Sequence, residues 1–147
     1  MEMPARSVSK SPPRTRVFVS FDYDHDDDVR VMLLGQANHR KTPFAFEDWS
    51  IKHETKGWKE DARKRIKRSD VVIAICGLHT HTAVGVSAEL KIARSEGVLF
   101  YLLRGRKSGE MRKPPGTSFL DPVYDWSWDN IEAMCNRTLR PWWVKLW

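Results

Sequence analysis

A chain of 147 residues, 41% of them hydrophobic, can bury a real core as one domain without disulfide or metal staples. No apolar run approaches the roughly 20 residues of a membrane helix, and no signal-peptide core opens the chain. Two cysteines are too few for a disulfide framework, so the expected compartment is a reducing cytoplasm, and the net charge of +6 is left to suggest an anionic partner.

Residues 1–15, "MEMPARSVSKSPPRT", are rich in Pro, Ser and Arg without periodicity and read as a flexible tail, with one domain over 16–147. "RVFVSF" (16–21) is β-branched or aromatic and alternates, which predicts the first strand. Five aspartates then fall within seven positions, 22–28. Asp26, Asp27 and Asp28 suit the first turn of a helix, where acids complement the macrodipole, with Val29, Met32, Leu33 and Ala37 on its inner face. "PFAFEDW" (43–49) is a short second strand leading to a polar loop through about Gly57.

Residues 52–68 carry eight Lys or Arg against three acids, and within them Trp58, Ala62 and Ile66 form a narrow apolar helical stripe. "DVVIAIC" (70–76) is a strand apolar on both faces, with Cys76 a buried thiol. A loop leads to a helix over 84–96 with Val86, Leu90 and Ala93 inward and Gly97 as its stop. "VLFYLL" (98–103) is a further buried strand, followed by a long loop in which residues 104–113 carry five basic side chains against Glu110. "VYDW" (123–126) predicts a short edge strand, and Ser127 caps a last amphipathic helix that includes Cys135. Beyond Pro141, "RPWWVKLW" either folds back on the sheet edge or anchors a partner. Strand and helix alternate throughout. The expected class is α/β, a flavodoxin-like three-layer sandwich with a parallel sheet of about five strands in order 2-1-3-4-5.

In such sheets ligands bind beyond the carboxyl ends of the strands. The groups that converge there are Phe21, Asp22, Tyr23 and Asp24 after the first strand, Glu47, Asp48 and Trp49 after the second, His79 and His81 after the third and Arg104 after the fourth. Neither G-x-G-x-x-G nor G-x-x-x-x-G-K-[ST] occurs, so a Rossmann cofactor site and a P-loop are unsupported. The basic stretches lack interleaved aromatics and any helix-turn-helix, zinc-finger or RNA-recognition signature, which argues against nucleic acid and leaves solvated faces or a phosphorylated small molecule.

Glu89 falls at the border of the apolar stripe of helix 84–96, where partial desolvation would suit acid–base or cation-stabilising work; a first-turn Glu complementing the dipole is the plain alternative. Asp22 and Asp24 form a D-x-D pair like that of magnesium-dependent haloacid-dehalogenase phosphatases, but the loops after the third and fourth strands open on Gly77 and Arg104 and supply no further metal-binding acid. His79 and His81, even with His25, make a weak metal signal. Tyr23 and Trp49 are able to stack a base or simply pack their loops. Ser20 has no base partner at a recognisable spacing, so Ser-His-Asp hydrolysis is unsupported.

Taken together, "VFVSFDYDHDDDVR", "FAFEDWS" and "RIKRSDVVIAICGLHTHTAVGVSAEL" resemble the TIR-like family that includes the ThsB proteins of bacterial Thoeris antiphage defence, over roughly residues 16–104. The resemblance implies cleavage of the bond between nicotinamide and ribose in NAD, with NAD as substrate and no bound cofactor. The product would be an ADP-ribose-derived signal, linear or cyclic, that reaches a separate effector. The resemblance also leaves room for a phage-derived trigger and a homo-oligomer. Glu89 matches the family's catalytic glutamate, and residues 47–57 match the loop that often contacts a neighbouring protomer. Two positions depart from the family's pattern: Gly85 stands where related sequences usually carry tryptophan, and Ala88 where a large residue is common. An inactive TIR-like interaction module is the alternative implied by the same resemblance.

Overall fold

The computed structural model describes residues 15–37, 44–49, 56–106, 110–118 and 120–139. The expectations for residues 1–14, for most of the loop after the second strand and for "RPWWVKLW" therefore lie outside the described residues. The elements in chain order are β1 (Thr15–Ser20), α1 (Asp27–Ala37), β2 (Phe44–Trp49), α2 (Trp58–Lys67), β3 (Val71–Cys76), a 3-10 turn (Thr80–Thr82), α3 (Val84–Ser95), β4 (Leu99–Arg104), β5 (Val123–Tyr124) and α4 (Trp128–Cys135).

Four strands, β1, β3, β4 and β5, lie side by side in chain order and run parallel. β2 pairs in parallel with the other edge of β1, so the sheet reads β2-β1-β3-β4-β5. β3 is its centre, and all six of its residues are buried because helices cover both faces. Alternation sorts the side chains. Val17, Val19, Ile73 and Leu103 face one core with Val29 and Leu33 of α1 and Ile131 and Met134 of α4. Phe18, Val72, Ala74 and Leu102 face the other, with Ala62 and Ile66 of α2 and Val86, Leu90 and Ala93 of α3. Among these, each valine, leucine, isoleucine, phenylalanine or methionine side chain contributes about 1.5–3 kcal/mol by leaving water.

The boundaries are local chemistry. Ser127 Oγ accepts the Asn130 N–H at 3.1 Å and starts α4, as its position predicts. Gly97, at φ 73°, ends α3 in a left-handed turn whose following N–H, from Val98, returns to the Ala93 carbonyl. Four sequence expectations are corrected. β1 begins at Thr15, one residue inside the supposed tail, and Asp26 precedes α1 rather than opening it. Met32 is exposed, because the row Val29–Leu33 takes the centre of the inner face and leaves position 32 beyond its edge. Glu89 is fully buried, not at a half-wet border.

Candidate functional site

Strand β1 ends at Ser20, and the chain then turns across the carboxyl edge of the sheet. Asp22 makes that turn. One of its carboxylate oxygens accepts the Asp24 N–H at 3.1 Å, the other meets His25 Nδ1 at 2.7 Å, and its carbonyl accepts the N–H groups of His25 and Asp26. Both oxygens are thus engaged within the turn. Asp24 is exposed. Among the described residues no three or more His, Cys, Asp or Glu side chains converge as a metal-binding group.

Phe21, Asp22, Tyr23, Asp24 and His25 form one wall of a cleft of about 290 Å³, and Thr82 through Val86, at the start of α3, form the other. The Phe21 and Tyr23 rings pack 4.8 Å apart, with the Arg30 guanidinium over Phe21. Gly85 keeps the second wall low: a Cβ built there would meet nothing within 4 Å. Where a tryptophan was expected, there is open space.

Of the residues singled out from sequence, Phe21, Asp22, Tyr23 and Asp24 meet at this cleft. His79 stacks on His25, ring centroids 3.9 Å apart, and so borders the same loop. Asp48 and Trp49 lie within β2 at the register positions of Phe18 and Val19, so the second strand runs through them. Arg104 stands at the end of β4 opposite Cys76 and pairs with Asp125 at 3.4 Å, outside the cleft wall.

Glu89 lies one helical turn beyond Gly85, beneath that wall, with none of its side chain in contact with solvent. Ser20 Oγ donates to Glu89 Oε1 at 2.8 Å, joining the end of β1 to α3 across 69 positions of chain. A carboxylate taken out of water costs several kcal/mol unless hydrogen-bonded or paired, so this contact is a condition of the burial.

Sequence reasoning missed three participants. Ser20 has no base partner at a recognisable spacing, yet strand alternation puts it on the Phe18 side, facing α3, and that period is the available signal. Asp26, assigned to helix capping, is buried against Gly77, where an added Cβ would lie 2.6 Å from its Oδ1. Arg106 closes over it: its guanidinium takes both oxygens of Asp28 at 3.0 and 3.1 Å, the His25 carbonyl at 3.3 Å, and stands 3.5 Å from Asp26. Burial above all, with Asp22 adding to it, raises the Asp26 pKa against the pull of Arg106. Only glycine directly after a buried strand hinted at so close an approach.

Both cysteines are buried and neither forms a disulfide. Burial pushes each thiol up to about 12, so neither is a nucleophile at neutral pH. No described helix is long and apolar enough to cross a membrane. The chemistry available at the cleft is that of an acidic surface with the Tyr23 ring beside it, and Glu89 is not among its lining residues.

Comparison with known families matches residues 18–104, from β1 through β4, to the model described as Thoeris protein ThsB, TIR-like domain. A search of curated proteins returned no match.

Proposed function

The chain belongs to the ThsB TIR-like domain family of Thoeris antiphage defence, and from that premise we propose that it cleaves NAD between nicotinamide and ribose to make an ADP-ribose-derived signal. The observation that carries this reading is Glu89, a wholly buried carboxylate held by Ser20 behind an aromatic cleft. Burial of an acid that no core requires marks a site whose electrostatics are being tuned.

As the bond to nicotinamide breaks, positive charge grows on the ribose. A carboxylate fixed in a water-poor environment stabilises that charge more than water would, and it needs no reorganisation during the step. In this role Glu89 is the catalytic residue, and turnover requires the α3 start around Gly85 to shift so that the ribose meets the buried carboxylate. Tyr23 supplies the stacking surface, backed by the buried Phe21 ring, with Asp22, Asp24 and His79 at its rim. Asp48 and Trp49, from the end of β2, are proposed as further substrate contacts, whereas Arg104, outside the cleft wall, is not part of this set. NAD is the substrate, and no separate cofactor is invoked. Residues 16–147 act as one cytoplasmic unit, and the product diffuses to a separate effector.

A second reading, an interaction module without turnover, is favoured by one observation: Glu89 is not itself among the residues that line the cleft. The two are separated by incubating purified protein with NAD, alone and with lysate of phage-infected cells, and measuring nicotinamide release. Turnover in either condition supports the enzyme; none in both, from folded protein, overturns it.

A further inference from the structure

A second cavity, of about 330 Å³, opens on the other side of the same helix start. Thr82, Ala83 and Val84 line both cavities, so the two are neighbours across one narrow shoulder of chain. Their chemistry is opposite. The first holds Asp22 and Asp24. The second is lined by Lys59 of α2, Lys91 of α3 and His81, and no acid is among its described lining residues. Both lysines are exposed, neither makes an ion pair among the described residues, and the Lys59 ammonium stands over the Trp58 ring at 5.7 Å. By contrast Arg63, further along the same groove, is paired with Glu96, and Glu60 borders only that further part. Ala83, which caps α3, offers no side-chain hydrogen bond to the first turn, so the positive end of this 12-residue helix faces the shoulder uncapped.

A pyridinium dinucleotide has the same polarity: a cationic ring at one end and a diphosphate in the middle. We infer that the Lys59–Lys91 cavity is a diphosphate subsite, which orients the substrate with its cationic ring toward the Asp22 and Asp24 cleft and its phosphates across the Thr82–Val84 shoulder. The inference rests on the reading of the first cleft as the NAD site. Charge decides the orientation, since the reverse placement sets phosphates against two carboxylates and leaves both lysines without an anionic partner.

The test is calorimetric titration of the full chain with inorganic pyrophosphate, ADP-ribose and nicotinamide riboside at fixed ionic strength, in wild type and in Lys59→Ala/Lys91→Ala. Both lysines are exposed, and thermal melting checks that the variant is folded. Loss of two charge-assisted contacts should weaken pyrophosphate and ADP-ribose by about tenfold or more. Nicotinamide riboside, which lacks phosphate, should bind both proteins alike. Equal affinity of the two proteins for pyrophosphate, or no binding to wild type, overturns the subsite. These readouts need no turnover, so an unreactive protein that still loses pyrophosphate in the variant keeps the subsite while the enzymatic reading falls. Wild-type and variant proteins that turn over NAD with the same KM keep the enzyme and sink the subsite.

Discussion

Glu89 and Asp26 are both acids that the fold removes from water, yet they are held by different means. Glu89 sits in the α2–α3 layer, where the hydroxyl of Ser20 donates to it. Asp26 sits at the carboxyl edge, where the Arg106 guanidinium stands 3.5 Å away and Gly77 makes room for it. The Ser20 hydroxyl brings no counter-charge to its carboxylate, whereas the guanidinium brings one. On this contrast Glu89 is the acid that the proposed chemistry uses, while Arg106, beside Asp26, ties the loop after β4 to the turn after β1.

The sharpest way to break that division is Glu89→Gln. The amide keeps the side chain's size and still accepts from Ser20, so melting should be unchanged, while NAD turnover should fall on the order of 10²-fold or more. Folded Glu89→Gln protein with near-normal nicotinamide release would remove the catalytic assignment.

Gly77→Ala addresses the other acid. Its Cβ would lie 2.6 and 2.7 Å from the two Asp26 oxygens, inside any tolerated contact, and the buried carboxylate has little room to retreat. The expected cost is about 1–3 kcal/mol in urea denaturation. An unaffected midpoint would mean that the turn after β1 yields easily and that Asp26 is no fixed part of it.

Arg106→Ala should cost about 1–2 kcal/mol near neutral pH, since it strips Asp28 of two hydrogen bonds and Asp26 of its counter-charge. The pH dependence gives the sign. The Asp26 pKa is raised above its ordinary 3.8, so the folded protein holds that proton more tightly than the unfolded chain. Its contribution to stability is therefore present below 3.8 and is lost as pH rises through the folded value. Removing Arg106 takes away a lowering influence, so the loss should extend to higher pH. Asp28 is lowered by Arg106 first and by backbone N–H groups as well, and its opposite contribution, lost as pH falls below 3.8, should shrink in the variant. Denaturation from pH 3 to 8 measures both, and an unchanged profile in Arg106→Ala would show that the pair does not couple to folding.

The smallest expected effect is a gain. Gly85 is helical with open space at its Cβ, so Gly85→Ala should stabilise by about 0.5 kcal/mol. If it instead destabilises, the low wall of the cleft is enforced by packing rather than merely permitted.

Sequence alone determined the α/β alternation, the two-sided burial of 71–76, the caps at Ser127 and Gly97 and the gathering of Phe21 to Asp24 at a strand end. These follow from periods and propensities spanning a few residues, which is the range over which sequence patterns act. It also singled out Glu89 and, through a resemblance over 16–104, the family to which 18–104 is matched. Only the tertiary structure decided how deep Glu89 lies and that Ser20 holds it, because burial depends on which distant element closes over a position. The same is true of Asp26, which reads as a helix acid until Gly77 and Arg106 arrive from 51 and 80 positions away. It is true again of the two cavities flanking the start of α3, since Lys59 and Lys91 face a common space only when α2 and α3 pack on the same side of the sheet.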